Sequence, residues 1–278
     1  MPAIDLSLLS LKDERDALVD AARIAGEVIK PFFRNKNLDV WQKDDRSTVT
    51  EADMKADVAL REALLTGPRR EYGWLSEESA DDFSRFDASR TIIVDPIDGT
   101  RAFVRGQDNF TVCLAITEGD KVIASAIYCP MKDEMYDAVA GGGARLNGMS
   151  ITATTQDRVE GCRMIGQAQM FAHPSWPQTW PEMDIGYVNS TSYRLALVAS
   201  GQYDATIALA RKSDWDVAPG ALIAAEADAW IGDHLGRPFT FGQSEAAQPG
   251  LVCTARPLSP AVLERLAHLP SDLRTLRP

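Results

Sequence analysis

The 278-residue chain is poor in the residues that usually hold soft metals or covalent staples. Its four cysteines, Cys113, Cys129, Cys162 and Cys253, are scattered, with no Cys-x-x-Cys pair. That spacing argues against a disulfide framework or a thiolate zinc site and predicts buried, reduced thiols. The three histidines, His173, His234 and His268, stand at no metal-ligand spacing from one another, which argues against a His-based zinc centre. No apolar run reaches the length of a membrane span; Ala218 to Ile231 is apolar but carries Glu226 and Asp228. The opening MPAIDLSLLSLKDERDAL lacks a basic start followed by a long apolar core. No secretory signal is therefore expected, and the protein is read as cytoplasmic. Positive charge is also short. Lys plus Arg number 29 against 40 Asp plus Glu, a formal charge of −11. Such a chain is a poor partner for nucleic-acid backbones or anionic membranes. A small anionic substrate stays open to it if metal ions or local donors reverse the field in the site.

What is present is ordinary for a globular protein: 45% hydrophobic and 25% charged residues, with no internal repeat or low-complexity tract. The length suits one large domain or two tightly packed halves, and we place a boundary near residue 150, giving 1–150 and 151–278. After Ser10, the positions Leu18, Ala21, Ala22, Ala25, Val28, Ile29 and Phe32 form one helical stripe, with Ser10 to Asp13 as its capping signal. Residues 41–50 read as a polar loop, and Thr50-Glu51-Ala52-Asp53 opens a second helix that Gly67-Pro68 ends. Thr91 to Val94 reads as a short buried strand; Asn109 to Thr117 and Lys121 to Tyr128 read as a hairpin, and Glu134 to Ala140 as a further strand. The second half alternates: a helix over Ser190 to Gly201, a strand over Tyr203 to Ala208, a buried helix over Asp214 to Asp228, strands at Trp230-Ile231 and Leu251 to Cys253, and a last helix from Ser259. The pattern predicts a mixed α/β fold with sheets covered by helices.

The sharpest feature is Asp95-Pro96-Ile97-Asp98-Gly99-Thr100, after an apolar strand and before the helix-compatible Arg101 to Val104. Two carboxylates at a strand end can converge on one cation, and the amides of Gly99 and Thr100 would open a helix suited to a phosphate. Leu75-Ser76-Glu77-Glu78-Ser79 lies upstream, and Ser213-Asp214-Trp215-Asp216 stands far downstream. Each segment alone also has a structural explanation: a Pro/Asp/Gly turn, a solvated acidic turn and an Asp helix cap.

Together, Glu77-Glu78-Ser79, Asp95 to Thr100, Trp215-Asp216-x-Ala218, and Val49-Thr50-x-Ala52-Asp53 preceded by Lys43 resemble the inositol monophosphatase family. Those are Mg²⁺-dependent, lithium-sensitive phosphomonoesterases related to fructose-1,6-bisphosphatase. The resemblance covers about residues 15–255 and includes Ile127-Tyr128-x-Pro130. It implies a layered α/β/α/β/α sandwich, a homodimer, and two to three Mg²⁺ ions per site. It assigns Glu77, Asp95 and the Ile97 carbonyl to a first ion and Asp95, Asp98 and Asp216 to a second. A third, weaker ion would sit near Glu77. Thr100, bonded to Asp53, would orient the attacking water, and the amides of Gly99 and Thr100 would bind phosphate. No covalent phosphoenzyme is implied, in keeping with the lack of a convincing Ser/His or Cys/His arrangement.

The resemblance leaves the substrate open. Inositol-specific members carry Glu where this chain has Leu209. Arg101 after Asp-Gly-Thr, the segment Ser190 to Arg194, and Asn109-Phe110-Thr111-Val112 are similar to the bisphosphate-nucleotidase branch. Histidinol-phosphate phosphatases also place Lys or Arg after Asp-Gly-Thr. Arg101, Ser192, Arg194 and Lys212 are the candidate substrate contacts. Inositol monophosphate and 3′-phosphoadenosine 5′-phosphate are the leading substrates, with histidinol phosphate and fructose 1,6-bisphosphate as alternatives. A non-catalytic regulatory role on the same fold is the rival of another class. The chain departs from the family pattern at Ser76, at Pro219, and at Asp228-Ala229. A proline at position 219 is expected to be harmless if it falls in a first helical turn.

Overall fold

The computed structural model describes residues 9–44 and 47–267. The readings made on the first eight residues and on His268 lie outside them. Ser10 caps helix α1 (Leu11–Ile29): its hydroxyl accepts from the Asp13 amide at 3.2 Å, and Asp13 reaches back to the Ser10 amide at 3.0 Å. The predicted stripe faces inward, with Leu18, Ala21, Ala22, Ala25 and Ile29 buried. Residues 41–50, read as a loop, instead belong to a small hairpin of β1 (Val40–Gln42) and β2 (Thr48–Thr50). Strand β1 is exposed throughout, so it carries no alternation of apolar and polar residues that a sequence reading could detect. Helix α2 (Glu51–Leu64) follows, with Thr50 and Asp53 in a second capping box.

Seven strands make the first sheet: β3 (Gly73–Ser76), β4 (Arg90–Asp98), β5 (Thr111–Glu118), β6 (Lys121–Cys129), β7 (Glu134–Val139), β8 (Ala144–Leu146) and β9 (Met149–Ser150). Their spatial order is their chain order; only the β3–β4 pair is parallel. Strand β4 does not stop at Val94 as the sequence predicts. It runs on through Asp98, and its pairing with β5 slips by one residue between Asp95 and Asp98. Pro96 has no amide to give the ladder, so a bulge here lets pairing resume beyond it. Helix α3 (Thr100–Val104) is launched from Gly99, whose φ of 101° lies in the left-handed region that glycine enters without strain.

The second half holds β10 (Arg163–Ile165), α4 (Ala168–Phe171), β11 (Asp184–Gly186), α5 (Thr191–Ala199), β12 (Ala205–Ala208), β13 (Lys212–Ser213), α6 (Asp214–Glu226), β14 (Ala229–Gly232), β15 (Ala247–Gln248), β16 (Leu251–Ala255) and α7 (Ser259–Leu266). Five of these strands form a mixed sheet in the order β11-β10-β12-β16-β14, and β13 pairs with β15. The packing gives five layers. α1 and α2 cover one face of the seven-stranded sheet. α5 and α6 lie between the two sheets, and α4 and α7 close the outer face of the five-stranded one. This is the layered sandwich expected. A middle-layer helix is enclosed on every side, and every residue of α5 is buried, its polar residues Thr191, Ser192 and Arg194 included. Gly220 makes the close packing within that layer possible: a Cβ there would lie 2.5 Å from the Leu195 side chain.

Two details correct or complete the sequence reading. Helix α6 starts at Asp214, so Pro219 is inside the helix, beyond the first turn. It therefore leaves the Trp215 carbonyl without its i+4 amide donor, contrary to the expectation of a harmless first-turn proline. Asp228 takes the left-handed conformation that ends α6 (φ 62°), where the family pattern has glycine, and Arg256 bonds its carboxylate at 2.6 Å.

Asp204, just before β12, ties the second sheet together. Its carboxylate accepts from Thr154 Oγ1 at 2.7 Å, the Arg163 amide at 2.8 Å and Arg163 Nη2 at 2.9 Å. Burial pushes the carboxyl up, but the bonds from Arg163 and Thr154 outweigh it and hold the pKa below the ordinary range. Asp204→Asn should cost about 1–2 kcal/mol at pH 7, a figure discounted for the partial exposure of Arg163. A depressed folded-state pKa contributes stability above the unfolded carboxyl pKa and loses it as pH falls through the folded value. Denaturant titrations should show the gap between variant and parent constant above about pH 5 and closing below about pH 4.

Candidate active site

The bulge in β4 decides where two carboxylates go. Residues three apart on a regular strand point to opposite faces. The extra residue between Asp95 and Asp98 removes that alternation, and both carboxylates meet Asp216 from the start of α6. One oxygen from each of the three lies within 4.8 Å of the others. Asp95 and Asp98 are buried, and Asp216 is half-buried.

Each carboxylate has a different set of partners. Asp98 sits at the N-terminus of α5: its Oδ2 accepts from Ser190 Oγ at 2.7 Å and the Ser192 amide at 2.7 Å, and its Oδ1 from the Thr191 amide at 3.2 Å. Burial and the charge of Asp216 push its pKa up to about 6, against those hydrogen bonds. Asp216 Oδ2 accepts from the Ser213 amide at 3.2 Å, a helix-capping bond that still leaves the residue in the cavity wall. Asp95 is the outlier. Its Oδ1 is buried with no hydrogen-bond donor, and burial together with Glu77 and Asp98 drives its pKa well up. An orphaned carboxylate oxygen among like charges is strongly unfavourable unless a cation completes it. Hard oxygens only, converging on one point, fit Mg²⁺ or a similar cation.

Glu77 lines the same cavity, just beyond the end of β3. Lys43 reaches across from the β1–β2 hairpin and touches Glu77 Oε1 at 3.4 Å, the Glu77 carbonyl at 3.0 Å and Glu78 Oε2 at 2.8 Å. Burial dominates over Lys43 and lifts the Glu77 pKa to about 8. The Thr100 hydroxyl lies 3.2 Å from Asp53 Oδ1 and 3.0 Å from the Ile97 carbonyl. Asp53 is held in turn by Thr50, through its amide at 2.8 Å and its hydroxyl at 2.6 Å. The N-terminal box of α2 thus also fixes Asp53 against Thr100.

The cavity measures about 260 Å³, and Gly99, Arg101, Arg194 and Lys212 all contribute to its lining. Arg101 is exposed, Lys212 half-buried and Arg194 buried. Arg194 Nε donates to the Val188 carbonyl at 2.5 Å, and its guanidinium lies over the Tyr187 ring at 5.2 Å. Among the described residues no carboxylate lies within ion-pair distance of Arg194. Ser192 is not among the residues that line the cavity: it is fully buried, and its hydroxyl donates to the Asp216 carbonyl at 2.7 Å, which ties α5 to the acidic cluster. The sequence reading also missed Ser190 as the clamp on Asp98. Its helix-cap signal was visible, but the 92-residue separation from Asp98 was not bridged by any local pattern. Met170 and Tyr187 in the cavity wall carried no signal at all.

A family model described as the inositol monophosphatase family matches residues 11–268. The chain belongs to the inositol monophosphatase family. It is 32% identical over 233 residues to an inositol-1-monophosphatase of Mesorhizobium japonicum, covering 80% of this chain and 85% of that one. It is 29% identical over 235 residues to the 3′(2′),5′-bisphosphate nucleotidase CysQ of Escherichia coli, covering 83% and 95%. The Thermotoga maritima IMPase shares the fold with a TM-score of 0.80 at 23% identity, covering 94% of this chain and 99% of that chain. Membership makes this inositol monophosphatase relative a phosphoric monoester hydrolase. Among the described residues, no helix is long and apolar enough to cross a membrane.

Proposed function

We propose that the protein is a Mg²⁺-dependent hydrolase of a small-molecule phosphate monoester, either inositol monophosphate or 3′-phosphoadenosine 5′-phosphate. The observation that carries this reading is the convergence of Asp95, Asp98 and Asp216 around an orphaned Asp95 oxygen at the wall of a cavity. Glu77, Asp95 and the Ile97 carbonyl would hold one ion, and Asp95, Asp98 and Asp216 a second. When bound, Mg²⁺ supplies Lewis-acid activation and neutralises phosphate charge. Thr100, bonded to Asp53, orients the water that attacks phosphorus in line. The amides of Gly99 and Thr100 bind the phosphate oxygens. Arg194, buried and with no carboxylate partner among the described residues, and Lys212 and Arg101 nearer solvent, offer positive charge to the substrate.

The halves 1–150 and 151–278 work as one unit in this reading, because Asp216 comes from the second and the other carboxylates from the first. Bonds from Ser190, Thr191 and Ser192 to Asp98 cross that divide and support it. The working form is taken as a cytoplasmic homodimer with two to three Mg²⁺ ions per site and lithium sensitivity, as the family resemblance implies. A purely regulatory role would need none of Glu77, Asp95, Asp98, Asp216, Asp53 and Thr100 together.

The test is phosphate release from inositol 1-phosphate, 3′-phosphoadenosine 5′-phosphate, histidinol phosphate and fructose 1,6-bisphosphate, with Mg²⁺ and with chelator. The expected result is chelator-sensitive turnover concentrated on one of the first two. Equal turnover in chelator would reject the metal requirement, and silence on all four from folded protein would favour the regulatory role.

A further inference from the structure

Asp214 is a fully buried carboxylate that the proposed mechanism does not use, two residues before Asp216. It is not among the residues that line the cavity. Both of its oxygens are committed to one stretch of chain, residues 239–248. Oδ2 accepts from the Gly242 amide at 2.8 Å, and Oδ1 from Gln248 Nε2 at 2.7 Å. The Asp214 amide donates to the Ala246 carbonyl at 2.8 Å, and Gln248 Nε2 also reaches the Thr240 carbonyl at 2.9 Å. The pairing of β13 with β15 continues this seam, with Lys212 opposite Gln248 and Ser213 opposite Ala247.

The same stretch is gripped from the first half of the chain. Buried Arg85 donates from Nη1 to the Gly242 carbonyl at 2.7 Å and from Nη2 to the Gln243 carbonyl at 2.8 Å. Arg85 stands in the short turn Ser84–Asp87 and packs on the first residue of β3, where a Cβ on Gly73 would lie 2.5 Å from Arg85 Cβ. Residues 239–248 therefore tie the start of α6, which carries Asp216, to the strand that ends beside Glu77.

The start of α6 needs such a tie. The first four amides of a helix have no partner within it, so the first turn is bonded to the rest only through its carbonyls. Pro219 removes the bond to the Trp215 carbonyl. The turn that carries Asp216 is thus held by its surroundings more than by its own helix. A carboxylate that shares a cation with others must be placed to within about 0.5 Å.

We infer that Asp214, held by Gln248 and by the Arg85-gripped stretch, is a positioning residue that sets Asp216 within the acidic cluster. The inference rests on the ion-binding reading above and extends it beyond the residues that would touch the ion.

The test is calorimetric titration of Mg²⁺ into the full chain without substrate, beside the Mg²⁺ half-saturation of phosphate release. Asp214→Asn should weaken Mg²⁺ binding by about ten- to a hundredfold, and Gln248→Met, which keeps the bulk and loses the donor, by about tenfold. The double variant should bind Mg²⁺ little worse than Asp214→Asn alone, because both changes break one hydrogen bond. Asp204→Asn is the control: it lowers stability through the second sheet and should leave the Mg²⁺ affinity within about twofold. Unchanged affinity in the folded Asp214 and Gln248 variants overturns the inference and leaves the hydrolase reading standing. So does a loss in Asp204→Asn as large as in Asp214→Asn, since any loosening of the fold would then suffice. A wild type that binds no Mg²⁺ overturns both. If Asp214→Asn does not fold, Gln248→Met decides alone.

Discussion

Asp95→Asn should abolish Mg²⁺-dependent phosphate release, by about 10³-fold or more, while making the metal-free protein more stable. The two effects share one cause. Asp95 is buried, its Oδ1 has no donor, and Glu77, Asp98 and Asp216 all add repulsion to its charge. Removing the charge relieves the repulsion, and each kcal/mol so recovered raises the melting temperature by about 2–4 °C in a chain of this size. The same change removes a shared oxygen ligand from both proposed ion sites. Mg²⁺ should accordingly raise the melting temperature of the wild type, by an amount that grows with concentration relative to Kd, and barely move the variant. Calorimetry with and without Mg²⁺, beside a phosphate-release assay, reads all three quantities. A variant that keeps activity, or whose metal-free form is less stable than the parent, would sink the account of the cluster.

The second large effect is expected at Thr100. Its hydroxyl lies between Asp53 Oδ1 and the Ile97 carbonyl and has a single proton to share between them. If it also positions the attacking water, Thr100→Ala should lower kcat by about 10²–10³-fold with little change in KM. Thr100→Ser keeps the hydroxyl and should stay within about tenfold of wild type. Asp53→Asn should combine a similar loss in kcat with lower stability, because Asp53 also closes the capping box of α2 through the Thr50 amide and hydroxyl. A fall in affinity without a fall in kcat at Thr100→Ala would assign the hydroxyl to substrate binding instead. Stopped-turnover measurements over a range of substrate concentrations separate these outcomes.

Much of the local structure was legible because its causes are local. Ser10 and Asp13, and Thr50 and Asp53, announce their helices through side chains that satisfy amides a turn away. The stripe from Leu18 to Ile29 repeats at the helical period, and β5 and β6 show as apolar runs joined by Glu118-Gly119-Asp120. The short elements left no such trace. Strand β1 is exposed and α4 is only four residues long, so neither builds a period. The start of α6 was legible at Asp214, but the conclusion drawn for Pro219 did not follow it: counted from that start, the proline falls past the first turn and costs a hydrogen bond.

The sequence by itself determined which carboxylates the chain owns, which helices could be buried on all sides, and, through its motifs, the family of its catalytic apparatus. Tertiary structure alone decided that Asp95 and Asp98 share a face, since that depends on a pairing slip between β4 and β5. It alone placed Asp216 against them and aimed the Ser192 hydroxyl at the Asp216 carbonyl. It also brought Met170 and Leu209 into one wall. The reason is physical. A helix cap or an apolar period is an interaction among chain neighbours, and neighbours are written in order. An acidic cluster and a cavity wall are distances between segments far apart in the chain, and those are set by how α5 and α6 pack between two sheets.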